Sequence, residues 1–147
     1  DIDACQAATE RTLNAVFEAL FQQGVVLEGM ILKPNMVISG SDCSAQADAD
    51  TIARMTVETL RRCVPAAVPG IMFLSGGQTE EEATINLNAM NQKYGPQPWA
   101  LSYSYGRALQ AGALKAWVGK DENEGAAQEV LLTRSRANSA ACAGKAA

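Results

Sequence analysis

The sequence predicts an α/β protein in which short parallel strands alternate with helices. Three observations lead there. Apolar runs of strand length occur three times, each is followed by a polar or glycine-containing loop, and each loop opens onto a stretch whose apolar residues repeat at helical spacing. Strands joined by helical crossovers run parallel and are normally covered on both faces, so a layered architecture is expected.

The first helix is predicted from about Gln6 to Gln23, where Leu13, Val16, Phe17, Leu20 and Phe21 share one face and Gly24 supplies a stop. Val25-Val26-Leu27-Glu28-Gly29-Met30-Ile31-Leu32-Lys33 reads as the first strand, and Pro34 removes the next amide donor from any ladder. Ser39-Gly40-Ser41-Asp42 forms a loop before a second helix, roughly Asp48 to Cys63, with Ile52, Met55 and Leu60 on its apolar side. Asp48 or Asp50 can cap it, and Pro65 and Pro69 close it.

Gly70-Ile71-Met72-Phe73-Leu74 is the second strand and Ser75-Gly76-Gly77 a tight loop. Thr79 with Glu82 three residues later makes a capping box that opens a helix running to about Asn91. After the turn residues Gly95-Pro96-Gln97-Pro98, Trp99 to Ser104 is the third strand. Gly106-Arg107 then leads into a helix with Leu109, Ala113, Ala116 and Trp117 on one side. A last helix is expected from about Glu122 to Cys142.

The chain has 147 residues, of which 48% are hydrophobic, enough for one domain with a buried core. Three strands make a poor free-standing parallel sheet, because each edge leaves unpaired amides and carbonyls. A (β/α)8 barrel typically needs ~250 residues and rarely fewer than ~200. Residues 1–147 are therefore too few to close one, yet they suit its last three strands and helices plus a C-terminal helix. The expected domain is a partial (β/α)8 barrel over residues 1–147. The sequence starts without Met in polar helical sequence, so removal of upstream residues has to be considered.

Composition narrows the chemistry. Lys and Arg number 12 against 16 Asp and Glu, a net charge of -4, so no broad basic surface recommends nucleic acid or an acidic membrane as partner. An anionic small molecule can still bind locally. There is no histidine, which removes Ser-His-Asp and Cys-His catalysis, H-E-x-x-H zinc chemistry and imidazole bases. Cys5, Cys43, Cys63 and Cys142 are widely spaced, without a C-x-x-C pair, and read as reduced intracellular thiols. The first residues carry no export signal, and the best apolar stretch, Val25 to Leu32, is interrupted by Glu28, so no membrane span is expected.

Three groups of residues can carry chemistry. Strand alternation places Val25, Leu27, Gly29, Ile31 and Lys33 on one face. A lysine amine is a nucleophile only when unprotonated, and an apolar wall disfavours the ammonium form, the setting of a Schiff-base lysine. The alternative is a solvated lysine at a strand end. Ser75-Gly76-Gly77 lets backbone amides converge on a phosphate without side-chain obstruction, although Glu80, Glu81 and Glu82 repel an anion placed on the helix axis. The alternative is a glycine turn before a well-capped helix. Ser104-Tyr105-Gly106-Arg107 offers an arginine fork and close backbone approach, or else a surface ion pair. Two anion-capable loops after successive parallel strands match the recurrent phosphate site after the seventh and eighth strands of (β/α)8 barrels. Glu28 falls on the face opposite Lys33 and reads as structural. Trp99 and Trp117 read as core or interface aromatics, and Arg61-Arg62 as the basic last turn of a helix.

The segments Leu27-Glu28-Gly29-Met30-Ile31-Leu32-Lys33-Pro34-Asn35-Met36-Val37, Phe73-Leu74-Ser75-Gly76-Gly77-Gln78-Thr79-Glu80-Glu81-Glu82-Ala83 and Ser104-Tyr105-Gly106-Arg107-Ala108-Leu109-Gln110 closely resemble class I fructose-bisphosphate aldolase. The likeness continues through Asn86–Asn91 and Ala113–Trp117 and covers nearly the whole chain, in the order of that family's carboxyl-terminal portion.

The resemblance implies that Lys33 attacks the ketone of fructose 1,6-bisphosphate, forming an iminium through which the bond between the third and fourth carbons breaks. Dihydroxyacetone phosphate and glyceraldehyde 3-phosphate are the implied products, without metal or cofactor. Ser75, Gly76 and Gly77 match the family's phosphate loop, and Ser104, Gly106 and Arg107 its other phosphate-contacting segment. The family's catalytic Asp, acid-base Glu and a further active-site Lys belong to strands that would precede residue 1, and its terminal Tyr lies beyond Ala147. The chain alone is therefore expected to have little or no turnover. A homotetramer in the intact form and a cytoplasmic or plastid-stromal location are implied too. The other readings are an inactive half-barrel with a binding or structural role, and another Schiff-base lyase of sugar phosphates.

Overall fold

The computed structural model describes residues 1–146. Helix α1 (Ile2–Gln22) precedes three strand-helix units: β1 (Ile31–Leu32) with α2 (Ala49–Cys63), β2 (Gly70–Phe73) with α3 (Glu80–Lys93), and β3 (Ala100–Tyr103) with α4 (Arg107–Trp117). Helix α5 (Glu124–Cys142) follows.

Capping chemistry sets the helix starts. The Asp1 carboxylate accepts the Ala4 amide at 2.9 Å and Asp48 accepts the Thr51 amide at 2.8 Å. At α3 the predicted capping box forms in full: Glu82 Oε2 accepts the Thr79 amide at 2.8 Å, and Thr79 Oγ1 accepts the Glu82 amide at 3.2 Å. Helix α1 begins four residues before its predicted start because Asp1 caps it, although its buried face is confined to Thr9, Leu13 and Phe17.

The sheet is parallel in the order β1-β2-β3, with Ile31 opposite Gly70 and Gly70 opposite Ala100. One expectation fails at its amino-terminal edge. Val25 to Lys33 does not form a single strand: after Gly24, at φ 66°, Leu27–Gly29 winds into a 3-10 turn and only Ile31 and Leu32 pair with β2. The apolar, β-branched run imitates a strand, but among the described residues Val25 and Val26 pair with no strand, and both are exposed. Val25, Leu27 and Gly29 therefore do not share a strand face with Lys33; of the five residues expected there, Ile31 and Lys33 alone keep their places.

Coverage of the sheet also departs from the expected two faces. Ile71, Phe73 and Leu101 are buried in one cluster with Leu13 and Phe17 of α1, Leu60 of α2, Leu87 of α3, Ala108 of α4 and Ala141 of α5. These helices thus pack on one side, although Cys142 at the end of α5 also reaches Ser102 on the other, with Sγ 3.2 Å from the hydroxyl. On the other side Ile31 is 53% exposed and Ala100 is exposed too. The architecture is an open segment of (β/α) barrel, with its outer helical layer complete and its inner strand face uncovered.

Of the two tryptophans, Trp99 is a core residue whose indole N–H donates to the Pro65 carbonyl at 3.1 Å, whereas Trp117 is exposed on α4. Arg61 and Arg62 do occupy the last turn of α2. There Arg61 donates to Gln97 at 2.9 Å and Arg62 pairs with Glu10 at 2.7 Å. All four cysteines are free, and burial pushes the Cys63 thiol up. Among the described residues no helix is long and apolar enough to cross a membrane.

Candidate active site

The three loops leave the same edge of the sheet because the ladder continues past the strands proper. The Leu74 amide donates to the Pro34 carbonyl at 3.0 Å, and the Ser104 amide to the Phe73 carbonyl at 2.9 Å. Lys33, Ser75 and Ser104 therefore follow the carboxyl ends of adjacent strands, where barrel proteins place their reacting groups.

Lys33 follows β1 on the face of Ile31 by alternation, and its side chain is exposed on the uncovered side of the sheet. The chain beyond it is held firmly. Pro34 is buried, Asn35 Nδ2 donates to Thr9 Oγ1 at 3.1 Å, and the Val37 amide donates to Thr56 Oγ1 at 2.9 Å. The Lys33 side chain thus stands beside a well-anchored stretch of backbone. Glu28 lies in the preceding 3-10 turn, exposed.

Ser75 to Gln78 form a turn closed by the Gln78 amide on the Ser75 carbonyl at 3.1 Å, with Gly76 at φ 60° and Gly77 at φ 88°. Both central residues sit in the left-handed region, which glycine occupies without a Cβ penalty. Gln78 Nε2 also donates to the Ser75 carbonyl at 2.8 Å, while Gln78 Oε1 accepts Asn86 Nδ2 at 2.7 Å, so α3 braces the turn from below. Ser75 is buried, whereas both glycines are exposed. Among the described residues neither the Gly76 nor the Gly77 amide has an acceptor, and paired free amides in such a turn form an anion-binding concavity.

The second loop is fixed by Tyr105, whose buried hydroxyl donates to the Ala83 carbonyl in α3 at 3.0 Å. Burial pushes this phenol's pKa far up. One loop is thereby bolted to the helix that carries the other. Gly106 caps α4 without a side chain, and Ser104 and Arg107 are exposed. Among the described residues no carboxylate lies within ion-pair distance of Arg107 or Lys33.

Each carboxylate of the acidic run that would repel an anion has a partner of its own. Glu82 is spent on the capping box and Glu81 lies 3.7 Å from Arg134. Glu80 Oε1 accepts an amide of α4. The local sequence gave no sign of these last two partners, because both come from elements more than thirty residues away in the chain. Among the described residues no group of three or more His, Cys, Asp or Glu is placed to hold a metal. The arrangement offers one amine for covalent capture of a carbonyl, with amides and a guanidinium nearby on the same edge for an anionic substituent.

Comparison with known proteins gives the arrangement its context. Residues 1–147 match throughout the family described as fructose-bisphosphate aldolase class-I. The chain belongs to the class I fructose-bisphosphate aldolase family. It is 57% identical over 145 residues to fructose-bisphosphate aldolase B of Gallus gallus, covering 99% of this chain and 40% of that protein. Fructose-bisphosphate aldolase 1 of Toxoplasma gondii is 59% identical over 145 residues, again 99% of this chain and 40% of the relative. A solved structure of the Plasmodium falciparum aldolase, in complex with TRAP and a small-molecule inhibitor, superposes with a TM-score of 0.97 at 54% identity over 100% of this chain and 42% of that one. The chain spans about two fifths of these aldolases, in keeping with an open set of (β/α) units.

Proposed function

We propose that residues 1–147 are the last three (β/α) units and the C-terminal helix of a class I aldolase barrel, and that the intact protein reversibly cleaves fructose 1,6-bisphosphate. The observation that carries this reading is the common strand edge: Lys33 and the two anion-capable loops, Ser75–Gly77 and Ser104–Arg107, follow three adjacent parallel strands in a chain of this family.

The Lys33 amine adds to the ketone carbon, and loss of water leaves an iminium. As a proton leaves the hydroxyl on the fourth carbon, the pair of electrons in the bond between the third and fourth carbons flows to the iminium nitrogen. Glyceraldehyde 3-phosphate departs and an enamine of dihydroxyacetone phosphate remains. Protonation of that enamine and hydrolysis of the renewed iminium return the amine and the second product. No metal is needed, since the cationic nitrogen accepts the electrons. Ser75, Gly76, Gly77, Ser104, Gly106 and Arg107 hold a phosphate of the substrate, which positions the carbonyl over Lys33.

The proton transfers require carboxylates from strands outside this chain, so residues 1–147 alone are catalytically silent. Proton transfer by positioned groups contributes about 10²–10⁴ in rate. The uncovered strand face supports this second reading, of a half-barrel that acts only with the remaining strands. A homotetrameric assembly and a cytoplasmic or plastid-stromal location complete the proposal. Relatives named as a cytosolic aldolase of Arabidopsis thaliana and a cytoplasmic isozyme of Cicer arietinum support the cytoplasmic alternative. The test is borohydride reduction of the full-length protein with dihydroxyacetone phosphate, followed by peptide mass mapping. A stable adduct on Lys33 is expected, and an adduct on another lysine overturns the assignment.

A further inference from the structure

Between the first turn of α3 and one side of α4 lies an open cavity of ≈ 330 Å³ whose walls include Glu80, Glu81, Arg107, Gly112 and Lys115. Two of these residues are in direct contact. The Gly112 amide, in the middle of α4, donates to Glu80 Oε1 at 2.9 Å, an acceptor outside its own helix. Gly112 is the residue that permits it: a Cβ there would meet Glu80 Oε2 at 2.9 Å, Glu80 Oε1 at 3.1 Å and Val130 Cγ1 at 3.2 Å. Glycine weakens a helix interior relative to alanine, so at this position close approach of the carboxylate outweighs local helix preference.

The contact is braced from a third helix. Arg134 Nη2 donates to the Glu80 carbonyl at 2.7 Å and to Thr84 Oγ1 at 2.6 Å, and Arg134 is itself largely buried. Glu80 stands three residues beyond Gly77, and Gly112 five beyond Arg107. The bond therefore spans the two helices that grow directly out of the proposed phosphate loops. It also engages one of the two carboxylates, Glu80 and Glu81, that line the cavity with Arg107, and among the described residues neither lies within ion-pair distance of that guanidinium.

Resting on the phosphate-site reading above, we propose that Glu80 is a positioning residue for that site: by accepting the Gly112 amide it fixes the spacing of the two loops and keeps its own charge away from Arg107. It touches no substrate atom. Its effect falls on binding of the phosphate rather than on the covalent steps at Lys33.

The test uses the full-length enzyme. Glu80→Ala is expected to raise KM for fructose 1,6-bisphosphate about tenfold with kcat within about twofold of the parent, a split that general loss of stability does not produce. Gly112→Ala, which pushes the carboxylate aside while leaving Glu80 in place, is expected to do the same and serves if Glu80→Ala does not fold. Glu80→Gln keeps an acceptor oxygen and is expected to bring KM back to within about twofold of the parent. An unchanged KM in both Glu80→Ala and Gly112→Ala overturns the proposal, as does a Glu80→Gln variant as impaired as Glu80→Ala. Borohydride trapping on the parent enzyme separates the two levels. Labelling of Lys33 with an unchanged KM in the variants sinks only the role of Glu80, whereas no labelling of Lys33 sinks the site itself.

Discussion

The Leu74 amide donates to the Pro34 carbonyl at 3.0 Å, tying the residue before Ser75 to the residue after Lys33. That bond puts the proposed nucleophile and the first proposed phosphate loop in one register, so that a substrate held by one would be presented to the other.

Lys33 is exposed, and among the described residues its side chain takes part in no ion pair. Lys33→Met in the full-length enzyme should leave the unfolding midpoint in denaturant unchanged while turnover falls by at least about a thousandfold. A stable, still active variant would show that another amine forms the adduct.

Gly77 has φ 88° and open space where a Cβ would lie, so Gly77→Ala isolates backbone strain from crowding. A destabilisation of about 1 kcal/mol is expected from the left-handed conformation. Inorganic phosphate should inhibit the variant more weakly as the free amides turn. Unaltered inhibition by phosphate would remove this loop from the site.

Tyr105→Phe deletes the hydrogen bond to the Ala83 carbonyl and should cost about 1 kcal/mol at neutral pH. The same change alters the alkaline limb of the stability curve. Burial raises the phenol in the folded state above tyrosine's ordinary value of 10.0. Below that value both states keep the proton and stability is unaffected by the group. Above it the unfolded chain releases the proton while the folded one retains it, so stability falls as pH rises. Denaturant titrations from pH 9 upward should show a shallower decline in Tyr105→Phe, and identical slopes would contradict the assignment.

Residues 1–147 alone should give no measurable cleavage of fructose 1,6-bisphosphate. Co-expression with a polypeptide supplying the remaining strands should restore it and slow deuterium exchange at Ile31 and Leu32, whose outer edge is then paired. Cleavage by the isolated chain would place the acid-base groups within it.

What the sequence reveals depends on how local the cause is. Thr79 and Glu82 announce α3 because both halves of a capping box lie within one turn, and Pro65 and Pro69 mark the end of α2 for equally local reasons. Val25–Met30 misleads because an apolar, β-branched run looks the same whether or not a neighbouring strand exists to pair with it. Lys33, Ser75–Gly77 and Ser104–Arg107 are legible as candidates from their places after strands, and the register of those strands draws them to one edge. Glu80 was legible only as a repulsive charge. Its engagement with Gly112 depends on the packing of α3 against α4, and a glycine inside a helix carries no sequence mark of the carboxylate it admits.

The completed helical layer beside a bare strand face divides the chain's residues by the stage at which their loss would be felt. Changes at Phe73 or Leu87 would abolish folding of the sector itself. Changes at Ile31 or Ala100 would pass unnoticed until closure of the ring. A deep mutational scan read once by abundance and once by catalysis would thus sort the two populations along the two sides of a single sheet.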